Sequence, residues 1–308
     1  MSSIKLFLNS AYQRGMDYYF NLRLERNKRI ILESKSKGVF AVEVFSKMGF
    51  GANFIWLLEI LEYCDIEGIQ PYVIVTNPSK RIGSKSFSEL IQLKKGGEKL
   101  FFLRYAAMRS FKDLGLSRTW DYNSRLNLDR ANYLVKKYLE IDTGVIEFVQ
   151  NYITDHFKTN RIIGVHYRGT DKTSEAPAVS YEQVKEIMHT KLLNDSENTQ
   201  FFLASDDYNF IDYMTAHFGN EYILTRSVNR SKNGKPIHIT SKNLREINRE
   251  ALIDCLILSE CNKLIKTASI LSGCSVIFNP NLEVEMLNEP YANYRFFPEK
   301  FFVKSKLL

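Results

Sequence analysis

Short apolar runs alternate with longer stretches of helical periodicity along most of this chain, and that alternation restricts the fold more than any other feature. Strands that are buried on both faces read as continuous apolar runs, and the helices between them carry the chain back to start a parallel neighbour. In the first half, residues 39–45 read as a strand. A glycine-containing turn follows at 48–53, then a helix at 54–63 and a second strand at 72–75. Helical patterns recur at 128–139 and 143–157, whereas 79–122 fits neither period.

The second half repeats the alternation more regularly. Strands are expected at 161–167, 200–204, 221–224 and 263–266. Helices are expected at 180–193, 208–218 and 243–260, with another starting near 268. Asn243 with Glu246 three positions on has the spacing of a capping box. The polar stretch 226–242, with Asn233-Gly234 and Pro236, reads as a loop. The fold class expected is therefore α/β, with two doubly wound Rossmann-like domains. Their boundaries are 1–158 and 159–308, and the aromatic stretch 291–302 packs back onto the first domain or meets a partner.

In sheets of this kind ligands bind beyond the carboxyl ends of the strands, and three strand ends in the second half carry polar groups. His166, Arg168, Asp171 and Lys172 follow the first run, Ser205, Asp206 and Asp207 the second, and Thr267 and Ser269 the third. Arginine presents a planar fork of donors that matches phosphate oxygens. Thr267 and Ser269 stand where a helix should open, a natural place for an anion. Together these groups can carry the charge of a diphosphate without a metal. Asp206 and Asp207 are neighbours on an extended chain, so their side chains diverge and do not share one metal ion. Asp254 falls on the apolar side of its helix, where a carboxylate needs partners. Two readings stand there: an acceptor for the adjacent N–H donors of guanine, or a salt bridge to a basic side chain.

Composition narrows the ligand class. The formal net charge of +7 favours anionic partners, and without a long basic run or a nucleic-acid-binding signature it points away from nucleic acid. Cys64, Cys255, Cys261 and Cys274 have neither zinc spacing nor the density of a disulfide framework, and read as free, buried thiols. The sequence has no apolar stretch long enough for a transmembrane helix and no signal peptide. A cytoplasmic protein is expected. Residues 5–29, which mix aromatic and basic side chains, are read as a solvated amphipathic helix or as a peripheral contact with the anionic inner face of a membrane.

The segment His166-Tyr167-Arg168-Gly169-Thr170-Asp171-Lys172 resembles the His-x-Arg-Arg-Thr-Asp-Lys motif of the GDP-fucose-dependent fucosyltransferases of the α-1,6 type, including the bacterial nodulation enzymes. The likeness extends over Phe202 to Asp207, Leu252 to Ser259 and Lys263 to Ser269, in the family's order. In the first half, Gly49-Phe50-Gly51-Ala52-Asn53 is similar to the family's glycine–Asn turn. The resemblance implies a GT-B fold whose second domain binds the donor and whose first binds a glycan acceptor. It implies a metal-independent, inverting transfer of fucose from GDP-fucose, with bacterial surface polysaccharide or lipopolysaccharide assembly as the setting.

Carried over by residue, the resemblance assigns Arg168 to the diphosphate and leaving group. It assigns His166 and Asp171 to the nucleotide pocket, Asp206 or Asp207 to the donor, Asp254 to guanine, and Thr267 and Ser269 to phosphate. Gly51 and Asn53 would mark the start of the first-domain site. The chain departs from the family twice. Gly169 replaces the second arginine, and the glutamate expected as base, here Glu175, follows Lys172 one residue early, leaving Lys172 as a proton relay. Two alternatives stay open: a transferase of the same fold using another nucleotide sugar, and a nucleotide- or carbohydrate-binding protein without turnover.

Overall fold

The computed structural model describes residues 29, 32–33, 36–46, 48–76, 86–94, 103–106, 126–169, 174–194, 198–232, 234, 243–292 and 296–303. The chain builds strand β1 (Val39–Phe45), helix α1 (Phe50–Glu67), β2 (Gln70–Thr76), α2 (Ser86–Leu90), β3 (Ile91–Leu93) and β4 (Leu103–Ala106). It continues with α3 (Leu128–Tyr138), β5 (Leu139–Ile141) and α4 (Thr143–His156). Strands β2, β1 and β4 form a parallel sheet in that order, and β3 pairs with β5 antiparallel.

The second half contributes β6 (Arg161–Tyr167), α5 (Tyr181–Asn194), β7 (Thr199–Ser205), α6 (Tyr208–Phe218) and β8 (Ile223–Thr225). After these come α7 (Leu244–Ser259), β9 (Lys263–Lys266), α8 (Ile270–Phe278) and β10 (Glu283–Met286). These five strands form a parallel sheet in the order β10-β9-β6-β7-β8. The chain therefore winds outward from β6 to β8, and α7 carries it back to place β9 on the other side of β6. The reversal puts the switch point, where such sheets open a crevice, between β6 and β9.

Most expected elements fall within a residue or two of their positions, and 161–167, 208–218 and 263–266 coincide with β6, α6 and β9. Asn243 caps α7 by accepting from the Glu246 amide. The turn expected at 48–53 is shorter, because α1 already begins at Phe50 and Gly51 and Asn53 lie in its first turn. The reason is tertiary: a Cβ at position 51 would stand 3.1 Å from Ile270 Cγ2 and 3.2 Å from the Leu271 amide nitrogen. A glycine that looks like a turn signal is there to let two helix starts approach. The stretch 79–122 holds α2, β3 and β4, and its remainder lies outside the described residues, as do residues 5–28.

The period of two along β6 sorts its side chains between two cores. Ile163 and Val165 face a cluster with Phe201, Leu203, Phe210 and Met214 beneath α5 and α6. Ile162, with Phe202 and Leu264, faces the larger cluster, which runs on through Leu252 and Ile257 to Phe54, Trp56 and Phe40. Apolar packing is thus continuous from α7 and α8 to α1 and β1. Buried between a sheet and other helices, α1 is apolar nearly all round. Phe296 and Phe297 of the aromatic C-terminal stretch are buried, Phe297 in this same cluster, while Tyr291 and Phe301 remain exposed. All four cysteines are free, buried thiols, and burial pushes Cys255 up to about 12. Among the described residues no helix is long and apolar enough to cross a membrane.

Lys266, the last residue of β9, is fully buried and pairs with the equally buried Glu299 of the C-terminal turn. Removing one partner of such a pair leaves a charge stranded in the core. Glu299→Ala is expected to cost about 3–5 kcal/mol in urea denaturation. The double change Lys266→Met with Glu299→Gln, whose amide oxygen can still accept the Ser269 amide, should restore part of that loss.

Candidate functional site

The carboxyl ends of β6 and β9 are stitched together before any ligand is considered. The Thr267 amide donates to the His166 carbonyl at 3.0 Å. The Thr267 hydroxyl in turn accepts from the Arg168 amide at 2.9 Å. These bonds fix the exit of β6 and hold the Arg168 backbone at the switch point. Its guanidinium reaches back to Asp206, with Nη1 2.9 Å from Oδ2, while the Gly169 amide donates to Asp206 Oδ1 at 3.2 Å. Asp206 thus steers both the side chain of Arg168 and the strand-exit loop.

His166 lies in the wall with its Nδ1 buried and without a hydrogen-bond partner among the described residues. Burial, helped by the charges of Lys266 and Arg168, pushes it down from 6.5 to about 3. It is neutral at physiological pH.

Helix α8 opens on the same side. Its N-cap, Ser269, makes no side-chain capping bond, and the Ser269 amide donates to Glu299 at 3.1 Å. The Ala268 amide is taken by Asn288 at 2.7 Å. The next amides, those of Ile270 and Leu271, have no intrahelical partner by the geometry of a helix start, and both residues line the cleft. Of the expected pair Thr267 and Ser269 only Ser269 lines the cleft, and the donors left at this helix start are its hydroxyl and the two amides after it. Thr267 itself works behind the wall.

The cleft has a volume of about 390 Å³. Its second-half wall includes His166, Arg168, Glu175, Asp206, Asp254 and Ser269, and the opposite wall is the start of α1 around Gly51. Seven residues singled out from the sequence thus meet across one opening. Asp207 and Asn53 do not line it. Asp207 caps α6, accepting from the Asn209 amide at 3.0 Å and the Tyr181 hydroxyl at 2.6 Å. Asn53 is buried and donates to the Met48 carbonyl at 3.1 Å. Asp171 and Lys172 lie outside the described residues. The two adjacent aspartates part as expected, and among the described residues no cluster of three or more His, Cys, Asp or Glu side chains could hold a metal.

Both readings of Asp254 have a counterpart here. The carboxylate lines the cleft, and it is also paired with Arg226, whose Nη2 stands 2.7 Å from Oδ1. Sequence reasoning passed over Arg226 because it opens a stretch read as polar loop. The signal was present: Arg226 directly follows β8, a fourth strand end on the same edge. The glycine at 169 also has a physical cause. A Cβ there would fall 2.5 Å from Asp207 Oδ2 and 2.8 Å from the Tyr167 ring. With Asp207 held by a cap and a tyrosine, any side chain at 169 requires Asp207 or Tyr167 to move.

The fold is that of a GDP-fucose fucosyltransferase-like α/β protein. No family model and no curated protein matches the chain. Among solved structures it is similar to NodZ α-1,6-fucosyltransferase soaked with GDP-fucose, with TM-score 0.51 and 13% identity over 78% of this chain and 93% of that one. Others are a mutant of Arabidopsis thaliana FUT1 in complex with GDP, with TM-score 0.47 and 12% identity over 82% and 71%, and POFUT1 in complex with GDP, with TM-score 0.46 and 9% identity over 80% and 98%.

The depressed His166 fixes the sign of a pH effect. Between 6.5 and about 3 the unfolded chain takes up a proton that the folded state refuses. The contribution is full above 6.5 and is lost as pH falls toward 3. Denaturation midpoints measured from pH 7 to pH 4 should fall for the native chain, and His166→Gln should flatten that fall.

Proposed function

We propose that this protein is an inverting, metal-independent glycosyltransferase that moves fucose from GDP-fucose to a hydroxyl of a glycan acceptor. The observation that carries the reading is the meeting, in the cleft at the β6–β9 switch point, of one guanidinium, one helix start and one further carboxylate, that of Asp254. A nucleoside diphosphate needs those three things: donors for its phosphates, an anion-accepting dipole, and an acceptor for its base. The fucosyltransferase-like fold supports the choice of donor. In this reading residues 1–158 and 159–308 act as the two lobes of a GT-B enzyme. The acceptor enters on the α1 side, and bacterial surface polysaccharide assembly is the setting.

The chemistry is a single displacement at the anomeric carbon. The bond from the acceptor oxygen to that carbon forms as the bond to the phosphate oxygen breaks, and GDP leaves with the electron pair. Arg168 and the start of α8 stabilise the charge gathering on the departing diphosphate. Glu175, half-buried in the cleft wall, takes the hydroxyl proton, and its carbonyl accepts from the Tyr291 amide at 2.8 Å, which holds its loop. Lys172 relays that proton to solvent. His166 is neutral and lends shape, not charge. Because protein donors carry the diphosphate, activity should survive a chelator.

A second reading, binding without turnover, is favoured by one observation. Position 169 is glycine, packed against Asp207 and Tyr167, where the family motif has its second arginine, so the phosphates meet one guanidinium fewer.

Two experiments decide. In a thermal-shift panel of GDP, UDP, TDP and ADP, GDP should raise the unfolding temperature most, with or without EDTA. Stabilisation by another nucleotide, or by none, would overturn the donor assignment. Arg168→Ala should lower donor turnover by about 10²–10³ while leaving thermal unfolding nearly unchanged. Near-normal turnover in that variant would remove Arg168 from the reaction, and absence of turnover in the native chain with every donor sugar and acceptor tried would favour the binding protein.

A further inference from the structure

We infer that Arg226 is the positioning residue for base recognition and that it leaves Asp254 a single carboxylate oxygen with which to read the base, so that the site takes hypoxanthine nucleotides nearly as well as guanine nucleotides. This rests on the nucleoside-diphosphate reading above and specifies how the base is chosen.

Arg226 follows β8 directly and is 7% exposed. Its Nε donates to Asp254 Oδ1 at 2.8 Å, and its Nη2 stands 2.7 Å from the same oxygen. Nη2 also donates to the Glu250 carbonyl, one turn earlier on α7, at 2.8 Å. The guanidinium is therefore clamped across the turn that carries the carboxylate. Arg230 backs it, donating to the Arg226 carbonyl at 2.7 Å and to Thr225 Oγ1 at 2.8 Å. The Phe148 ring lies 5.9 Å from the Arg226 guanidinium. Held on these sides, Arg226 has no easy rotamer that would release Asp254.

The consequence is stereochemical. Two nitrogens crowd Oδ1, whereas Oδ2 has no partner among the described residues, and Asp254 lines the cleft. Guanine offers two adjacent donors, N1–H and the exocyclic amine. A carboxylate with both oxygens open would take one on each. Here N1–H goes to Oδ2, and the amine finds Oδ1 already filled. Hypoxanthine has the same N1–H and lacks only the amine, so it forfeits little. Adenine presents an acceptor at N1 and meets the carboxylate as a repulsion.

Titration calorimetry with GDP, inosine diphosphate and ADP tests this. For the native chain, inosine diphosphate should bind within about threefold of GDP, and ADP should be weaker by about tenfold or more, the scale of one unmade hydrogen bond to a charged group. In Arg226→Gln, Oδ1 is freed. Both affinities should drop, and GDP should now exceed inosine diphosphate by about tenfold. A merely structural arginine would weaken both nucleotides and leave their ratio alone, which would overturn the inference. If Arg226→Gln does not fold, the native ratio decides. A preference for GDP of about thirtyfold or more would overturn single-oxygen reading and leave the GDP-binding proposal standing. Binding of none of the three nucleotides would overturn both.

Discussion

The ammonium of Lys266 sits in the core at the last residue of β9, where burial alone would drive it toward the neutral form. Glu299 answers that charge from the C-terminal turn, and the same carboxylate oxygen accepts the Ser269 amide at the start of α8. The strand end, the helix start and the last described segment of the chain are thereby joined at one point. The Phe302 ring lies 5.5 Å from the ammonium and Met286 Sδ 3.8 Å from it. The cleft is built directly above this point, since Ser269, Ile270 and Leu271 line it and His166 pairs in register with Lys266. A ligand site that depends on a helix start needs that start held still, and this pair holds it.

Charge in the cleft is distributed with the same economy of parts. Arg168 shares Asp206, and Arg226 shares Asp254. Glu175 and Glu250 also line the opening. Glu250 is raised above the usual carboxylate range, chiefly by its burial. His166, kept neutral, adds no cation. The protein as a whole carries a surplus of +7, yet the described wall of the cleft carries at least as many carboxylates as guanidinium groups. Net charge brings anions toward the molecule. Recognition inside depends on which oxygen and which nitrogen are left open, and there the pairing of Arg226 with Asp254 matters more than the overall sum.

Much of the fold was legible because buried parallel strands and their helices leave separate periodicities in the sequence. Strand β6 carries an apolar run from Ile162 to Val165, and α7 announces its start with Asn243. Those signals are local and survive without knowledge of the partner. The start of α1 was harder to read. Gly51 breaks helical propensity, and only its contact with Ile270 and Leu271, far away in sequence, explains why the helix tolerates it. The three-strand sheet was half visible, because β4 lies in a stretch whose pattern fits neither period.

The sequence by itself determined which strand ends would carry polar groups, and so named Arg168, Asp206 and Ser269, while helical periodicity singled out Asp254. A parallel sheet puts every strand's carboxyl end on one edge, and the order of residues along the chain is enough to know what stands there. Tertiary structure alone decided what each group is free to do. It tied Asp207 to the Tyr181 hydroxyl, moved Thr267 behind the wall, gave the Ser269 amide to Glu299 and filled one oxygen of Asp254 with Arg226. Those outcomes depend on distances of a few ångströms between residues dozens of positions apart. Such distances follow from how the strands are ordered and how tightly the helices pack, and no spacing within a single element encodes them.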